Sequence, residues 1–387
     1  MTPVPAGKPM PPTRIPFSRT AVVGRELEYV TDAIQHRHLS GDGPFTKRVR
    51  EWLQHRFGVA STLLTTSCTH ALEMAALLLD IRPGDEVIVP AFTFVSTVNA
   101  FVLRGATPVF IDCREDTKNM DERQLEGLIT KKTRAIVPVH YAGIACEMAA
   151  IMEIAAARGI AVVEDNAHGM CGKYRDQWLG TFGQMSTLSF HDTKNFSCGE
   201  GGALLVNDPR YSERAEIIRE KGTDRSRFFR GQVDKYTWVD VGSSYLPSEL
   251  QAAFLLAQLE GESKIQARRR KIWETYHASL TGWAEKHGAS LPVVPAGCEP
   301  SWHLYYLMMP TLERRQELIA YLRSREIGAV FHYLPLHLST MGRRFHATPR
   351  SLPVTEATAD RLVRLPMYND MTDVEIDEVI TALREWR

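Results

Sequence analysis

Residues 161–195 read AVVEDNAHGMCGKYRDQWLGTFGQMSTLSFHDTKN, and this stretch decides the fold. It holds two short apolar runs, Ala161–Asp165 and Ser186–Phe190, which are typical of strands buried on both faces of a sheet. Asp165 ends the first run, and Lys194 follows the second. Because ligands bind at the C-terminal ends of the strands in open α/β sheets, we expect Asp165 and Lys194 to lie in one site.

Further apolar runs flank this stretch and extend its pattern. They are Glu86–Phe94, Thr107–Cys113, Ala135–Tyr141 and Ala203–Asn207, and helical patterns such as Asp121–Thr130 and Met148–Arg158 lie between the earlier ones. This alternation predicts an α/β fold with a mixed, mostly parallel sheet. The strands at 186–190 and 203–207 are too close in sequence for a helical crossover, so we expect one of them to run antiparallel.

The alternation of strand-like and helical runs ends near residue 245. Glu249–Leu280 predicts a long helix that is broken or bent near Gly261, and its basic run Arg268–Lys271 is expected to be a solvated face. Strand-like runs follow at Tyr305–Met309 and Ala329–Tyr333, with helical patterns at Arg314–Arg325, Thr355–Arg364 and Thr372–Arg387. We therefore expect a large α/β domain at residues 20–250 and a small C-terminal α+β domain at residues 251–387.

Composition excludes several classes of protein. The 387 residues are 44% apolar, enough for a substantial core, and 46 basic residues balance 46 acidic ones, so nothing points to nucleic acid or an anionic membrane. No apolar run is long enough to span a bilayer. The Pro-rich segment Met1–Pro16 is expected to be a flexible lead-in, and the six cysteines form no metal-binding pattern. We expect a soluble, reduced, cytoplasmic protein without a metal.

The pair Asp165 and Lys194 indicates a particular chemistry. A buried lysine that has lost its proton can form a Schiff base with an aldehyde. An aspartate on a neighbouring strand can pair with a protonated pyridine nitrogen, so that the ring accepts electrons from a substrate carbanion. The pair therefore predicts pyridoxal 5'-phosphate (PLP) as cofactor. Lys194 taken alone would be interpreted as an ordinary surface lysine, so the prediction depends on further contacts.

Four further features supply these contacts. The polar run around Cys68 and Thr69 follows a β-like run at 61–64 and opens a helical stretch at Ala71–Leu79, which suits a phosphate. Ser189 can donate to the same phosphate. Phe94, expected at a strand end, can stack on the cofactor ring, and His168 can reach the ring oxygen. The polar run, Phe94 and His168 each have a structural alternative: a helix N-cap, a core aromatic and a structural histidine. Gly199–Gly202 does not match a dinucleotide fingerprint.

Together these residues resemble the DegT/DnrJ/EryC1/StrS family of PLP-dependent sugar aminotransferases. The resemblance runs from Gly24 to the C-terminal helix, with landmarks that include Pro83–Pro90, Glu164–His168, Ser189–Asn195, His332–His337 and Leu365-Pro366. It implies PLP fold type I, the aspartate aminotransferase-like fold, and at least a homodimer with shared active sites. It also implies that Lys194, Asp165 and His168 are catalytic, and that Cys68, Thr69, Phe94, Ser189 and Ser244 contact the cofactor. Ser244 and His168 stand where many members have Asn and Gln.

Within the family, Lys221–Trp238 resembles members that convert dTDP-4-keto-6-deoxyglucose to dTDP-4-amino-4,6-dideoxygalactose with glutamate as amino donor, for enterobacterial common antigen or related lipopolysaccharide. Cations interleaved with aromatics in this loop suit a diphosphate and a flat base. The expected substrate-binding residues are Arg225, Arg227, Arg230, Lys235, Tyr236 and His332. Two alternatives remain: amino transfer to another nucleotide-linked keto-sugar, at a 3-keto or another 4-keto position, and a non-catalytic regulator that binds PLP or a sugar nucleotide.

Overall fold

The computed structural model describes residues 13–346 and 350–387. Residues 1–12 of the expected lead-in Met1–Pro16 lie outside the described residues. The strands are β1 (Ser61–Thr65), β2 (Glu86–Pro90), β3 (Thr107–Ile111), β4 (Thr133–Ile136), β5 (Ala161–Asp165), β6 (Lys173–Tyr174), β7 (Gln177–Trp178), β8 (Met185–Ser189), β9 (Gly202–Val206), β10 (Cys298–Glu299), β11 (Tyr306–Met308) and β12 (Leu362–Arg364).

Helices surround these strands. They are α1 (Glu26–Gln35), α2 (Pro44–Phe57), α3 (Cys68–Leu78), α4 (Val95–Val102), α5 (Leu125–Leu128), α6 (Met148–Arg158), α7 (Ser212–Arg219), α8 (Arg225–Phe229), α9 (Glu249–Glu260), α10 (Glu262–His287), α11 (Leu312–Ser324), α12 (Gly342–Phe345), α13 (Pro353–Arg361) and α14 (Asp373–Glu385). Among the described helices, none has the length and apolar character that a bilayer crossing demands.

The large sheet has seven strands in the order β1-β9-β8-β5-β4-β2-β3. Strands β3, β2, β4, β5 and β8 are parallel neighbours, whereas β9 runs antiparallel to both β8 and β1. The expected mixed, mostly parallel sheet and its antiparallel strand are thereby confirmed. Because β5 and β8 are adjacent and parallel, Asp165 and Ser189 end at the same edge of the sheet, beside the start of β9 at Gly202.

Several predicted elements differ from the observed ones. The strand expected at Glu86–Phe94 ends at Pro90, so Phe94 is not at a strand end but at the N-cap of α4. Asp121–Thr130 forms a short 3-10 turn and the single turn α5 instead of a full helix. Residues 329–333 form no strand beyond a single bridge of Val330 to Arg364, and the backbone leaves the extended conformation at Tyr333, where φ is 38°. Residues 362–364, expected at the end of a helix, form β12 and pair with β11.

The C-terminal part of the chain has its own core. It is built from α10, α11, α14 and the two-stranded sheet of β11 and β12, and Ile15 packs into it. The expectation of a flexible lead-in is therefore wrong at Ile15, which is fully buried and bridges to Ile327. Since α9 packs against α1 and α2 of the large unit, we propose that the boundary between the two domains lies at Gly261, where α9 gives way to α10, rather than at 250.

The basic run of α10 has two roles. Arg268 and Lys271 form ion pairs with Asp373 at the start of α14, and Arg270 pairs with Glu274. Arg269 is buried and donates to the carbonyl oxygens of Trp302 and His303. The expectation of a solvated face is wrong at Arg269, since its position on the helix turns it towards the C-terminal core.

Candidate active site

A cavity of about 850 Å³ opens at the C-terminal edge of the sheet, between the large sheet and the C-terminal core. Asp165 and Lys194 both line it, as the positions of the two strands predict. The other expected site residues that line it are Cys68, Thr69, Phe94, His168, Ser189 and His332. The sheet topology thus brings together residues that are far apart in sequence.

Lys194 lies in the turn that follows β8. Burial lowers the pKa of its amine from 10.5 to about 8, against the opposing influence of Cys68 and Asp165, and the charge of Arg364 lowers it further. The neutral form, which attacks a carbonyl carbon, is therefore much more populated near physiological pH than in an ordinary lysine, although the protonated form still predominates there.

Asp165 is a buried carboxylate with polar but uncharged partners. Its Oδ2 accepts a hydrogen bond of 2.7 Å from the hydroxyl of Thr97, and its Oδ1 accepts one of 3.2 Å from the backbone N–H of Ala167. Burial raises its pKa above the ordinary value. Among the described residues no cationic side chain forms an ion pair with it, so a protonated ring nitrogen placed here would offset the cost of burying this charge.

The N-terminus of α3 lies at the same cavity and is a candidate anion cradle. Ser67 caps the helix by accepting from the N–H of His70 at 3.1 Å, while the side chains of Cys68 and Thr69 face the cavity. Gly202 of β9 lies against this turn, so that a Cβ atom at this position would collide with the backbone of Ser67 and Cys68. The helix terminus, the hydroxyls and the close strand together suit a phosphate group.

His168 is part of a stack of three imidazoles. Its ring lies 4.3 Å from that of His303 and 6.0 Å from that of His332, at small interplanar angles. Burial holds the pKa of all three well below the ordinary value, so the rings are neutral. The Nδ1 atom of His168 is buried without a hydrogen-bond partner among the described residues, as expected for a group whose partner is a bound ligand.

Aromatic side chains close the cavity from the side of the small domain. A hydrogen bond of 2.8 Å joins Nδ1 of His332 to the hydroxyl of Tyr141. The ring of His332 also stacks on that of Tyr333, with 3.5 Å between the ring centroids. The ring of Phe94 lies 6.4 Å from that of Tyr333 and is 57% exposed. Phe94 therefore has room for a planar ligand on one face, although it does not end a strand.

The remaining expected residues do not line this cavity in the single chain. Arg225, Arg230 and Ser244 line a second cavity of about 910 Å³. The three arginines form ion pairs with acidic residues on α7 or directly after it: Arg225 with Glu220, Arg227 with Glu213 and Arg230 with Glu216. Tyr236 lies under the guanidinium of Arg225 and is half exposed. Lys235 is exposed and lines neither cavity.

Sequence reasoning missed several residues of the Lys194 cavity and its supports. Thr97 holds Asp165, the amide oxygen of Asn195 accepts from Nδ1 of His303 at 2.9 Å, and Arg364 lines the cavity. Each had a signal. Thr97 lies one helical turn after Thr93, Asn195 directly follows Lys194, and Arg364 directly precedes the Leu365-Pro366 landmark.

A model of the DegT/DnrJ/EryC1/StrS aminotransferase family matches residues 21–384. The uncharacterized protein MJ1066 of Methanocaldococcus jannaschii is 31% identical over 379 residues, which cover 96% of this chain and 97% of that protein.

Solved structures are similar over the same range. The aminotransferase TlmJ from Streptoalloteichus hindustanus is 29% identical with a TM-score of 0.87, and the match covers 96% of this chain and 98% of TlmJ. Spr1654 from Streptococcus pneumoniae in its PMP form is 28% identical with a TM-score of 0.88, over 96% of this chain and 98% of Spr1654. The expected fold type I architecture is confirmed by these similarities.

Proposed function

The chain belongs to the DegT/DnrJ/EryC1/StrS aminotransferase family, and on that premise we propose that it transfers an amino group from glutamate to dTDP-4-keto-6-deoxyglucose, forming dTDP-4-amino-4,6-dideoxygalactose. At the coarser level it is a PLP-dependent sugar aminotransferase. The observation that carries the proposal is the placement of Asp165 and Lys194 in one cavity beside an anion cradle.

The residues present fit PLP. Asp165 is a buried carboxylate without a cationic partner among the described residues, and Nδ1 of His168 is buried without a hydrogen-bond partner. The cradle at Ser67 and Cys68 has the helix terminus that a phosphate requires. We propose that Asp165 pairs with the ring nitrogen, His168 contacts the ring oxygen and the cradle holds the phosphate. Phe94 would cover one face of the ring.

The bound cofactor supplies an electron sink for the substrate carbanion. Lys194 would hold the cofactor through its aldehyde, and once the donor amine had displaced it, its neutral amine would act as the base that moves the proton of the donor α-carbon. Thr97 orients Asp165 through its 2.7 Å hydrogen bond, which would hold the carboxylate in place for the ring nitrogen. The neutral imidazole of His168 adds no positive charge that would repel the protonated ring.

We propose that the keto-sugar nucleotide is bound by residues of two subunits. Arg225, Arg230 and Ser244 lie on the second cavity rather than at Lys194, and Phe229 and Trp238 on the same loop are 71% and 77% exposed. Exposed aromatics rimmed by cations support an interface between copies of the chain. In a homodimer the loop of one subunit would complete the Lys194 cavity of its partner, as the family resemblance implies.

The test is a two-step titration of the PLP-loaded protein. Glutamate should abolish the visible absorption band, because the amino group passes to the cofactor. Addition of dTDP-4-keto-6-deoxyglucose should then restore the band, and NMR of the isolated product should show an axial 4-amino group of galacto configuration. A band that returns only with a 3-keto isomer would reject the proposed sugar.

Another nucleotide-linked keto-sugar is the remaining alternative within the family, and the same titration with a panel of keto-sugars identifies it. The chain is an enzyme of an aminotransferase family, so a purely regulatory role is not proposed.

A further inference from the structure

Ser301–His303 is a short segment that brings a buried histidine without an assigned role to the Lys194 cavity. The side chain of His303 lines the cavity beside Lys194. The backbone just before it is in the left-handed region, since Trp302 has φ of 56°. A residue other than glycine adopts this conformation at a cost, so the surrounding structure must hold the segment in place.

Hydrogen bonds to and from the main chain anchor this segment on two sides. The hydroxyl of Ser301 donates to the carbonyl oxygen of His168. From the side of α10, the buried guanidinium of Arg269 donates to the carbonyl oxygens of Trp302 and His303. These bonds leave the imidazole of His303 uninvolved, and they fix the position from which it faces the cavity.

Asn195, which directly follows Lys194, determines which ring nitrogen of His303 carries the proton. Its Nδ2 donates to the carbonyl oxygen of Ser301 at 2.7 Å, a bond that only the NH2 group of the amide can make. Its amide oxygen therefore faces Nδ1 of His303, at 2.9 Å, and Nδ1 must be the N–H. Since burial holds the pKa of His303 well below its ordinary value, the ring is neutral and Nε2 keeps its lone pair.

The Nε2 atom of His303 is an unused hydrogen-bond acceptor. Among the described residues it has no hydrogen-bond partner, yet it is not sealed inside the protein, as Nδ1 of His168 is. It is therefore accessible from the cavity. A neutral acceptor at this place stabilises a ligand group that donates a hydrogen, and its lone pair repels a carboxylate oxygen, which has none to donate.

We infer that His303 accepts a hydrogen bond from the hydroxyl group next to the reacting carbon of the keto-sugar; the inference rests on the proposed function. Asn195 ties His303 to the turn that holds Lys194, so the acceptor lies near the carbon that reacts. Asn195 is then a positioning residue, because it acts on the substrate only through the imidazole that it orients.

The chemistry of the two substrates identifies the donor group. The amino-acid donor has no suitable hydrogen, because its carboxylates only accept and its amine is the group that is transferred. In a 4-keto-6-deoxy sugar the carbonyl carbon is flanked by C5, which carries the methyl group, and by C3, which carries a hydroxyl. The 3-hydroxyl is therefore the group that His303 meets.

The experiment measures binding of two inert ligands to the PLP-loaded protein by calorimetry. They are dTDP-6-deoxygalactose, which has neither a carbonyl nor an amine and cannot react, and its 3-deoxy analogue. The wild type should bind the ligand with the 3-hydroxyl about 3- to 10-fold more tightly, the value of one hydrogen bond between neutral groups. His303→Phe keeps a ring that can stack on His168 but lacks the acceptor, so it should bind both ligands with the same affinity.

Two asparagines supply a matched pair of variants. Asn195→Leu removes the oxygen that holds Nδ1 of His303, so the ring is free to turn or to move its proton, and most of the preference for the 3-hydroxyl should be lost. Asn369→Leu is the control. Asn369 donates to the backbone carbonyl oxygen of Asn195 at 3.3 Å and accepts from Arg269, but it makes no hydrogen bond to the imidazole, so the preference should remain.

Nitrogen-15 NMR of the histidine-labelled wild type gives a readout that does not depend on the folding of any variant. In the ligand-free, PLP-loaded protein, His303 should carry its proton on Nδ1 and none on Nε2. Addition of dTDP-6-deoxygalactose should shift the Nε2 resonance, and the 3-deoxy analogue should leave it in place.

Three results would overturn the inference alone: equal binding of the two ligands by the wild type, a preference that survives in His303→Phe, or a proton on Nε2 of ligand-free His303. Each of them leaves the proposed function standing. If the wild type binds neither ligand and accepts no keto-sugar nucleotide, the proposed function fails and the inference fails with it.

Discussion

Lys194 is buried beside Asp165, and the cost of burying its charge brings its pKa to about 8. We propose that it acts first as the group that holds the cofactor and then as the base. Lys194→Ala should therefore lower the rate of the glutamate half-reaction by at least about 10²–10⁴-fold, the usual contribution of a positioned acid–base group. Stopped-flow absorbance measures this rate. Normal circular dichroism would show that the fold is intact, and appreciable transaminase activity would refute the assignment.

The pKa of Lys194 also predicts a pH dependence. The amine is protonated below about pH 8 and neutral above it. The rate at which the cofactor-free protein takes up PLP should therefore rise with pH and level off above about pH 8, since the neutral amine is the nucleophile. Absorbance after mixing measures this rate. A rate that keeps rising towards the ordinary lysine pKa of 10.5 would mean that Lys194 is solvated.

Asp165 is proposed to stabilise the protonated ring nitrogen. Asp165→Asn preserves the size of the side chain but removes its charge, so turnover should fall by about 10²-fold or more, as expected for a lost preorganised electrostatic partner. Thr97→Val is the matched control, because it keeps the Asp165 carboxylate and removes only the hydroxyl that bonds Asp165 and Thr93, so it should cause a smaller loss. Steady-state kcat measures both effects. A near-normal kcat in Asp165→Asn would reject the role.

At the scale of elements, strand β9 meets the start of α3 at Gly202. A Cβ atom there would displace the backbone of Ser67 and Cys68, which form the anion cradle. Gly202→Ala should therefore weaken PLP binding by about tenfold, the loss of one or two hydrogen bonds to a phosphate. Titration of the cofactor-free protein measures the Kd. Gly127→Ala in α5, where nothing lies within 4 Å, should leave it unchanged, and an unchanged Kd in Gly202→Ala would place the phosphate elsewhere.

Elements with a strong local pattern could be predicted from the sequence. Ala161–Asp165 and Met148–Arg158 form the strand and the helix that their residues predict, since uniform burial and helical spacing are local properties. Residues 362–364 could not be predicted, because their strand exists only through pairing with β11. The residues of the candidate site also divide into those with a local pattern and those placed by tertiary packing. Asp165 and Lys194 were predictable from strand ends, whereas Arg364 reaches the cavity through packing of the small domain, and only its position before the Leu365-Pro366 landmark marked it in the sequence.

At the scale of the whole molecule, the Arg225–Arg230 loop and the Lys194 cavity are separate within one chain. If the active sites are shared in a homodimer, two defective variants should complement each other. Lys194→Ala mixed with the double variant Arg225→Ala and Arg230→Ala should recover up to about a quarter of the wild-type activity at low keto-sugar concentration, because random pairing leaves one site in four intact. Mixtures no more active than the separate variants would place both residue sets in the same subunit's site.

The central claim is that Lys194 holds the cofactor, and borohydride reduction of the PLP-loaded protein tests it most directly. Reduction makes the bond between lysine and cofactor permanent, so that peptide mass spectrometry identifies the modified residue. The account predicts that the cofactor mass appears on the peptide containing Lys194 and that Lys194→Ala carries none. A cofactor mass on another lysine, or no modified peptide from a protein that has bound PLP, would contradict it.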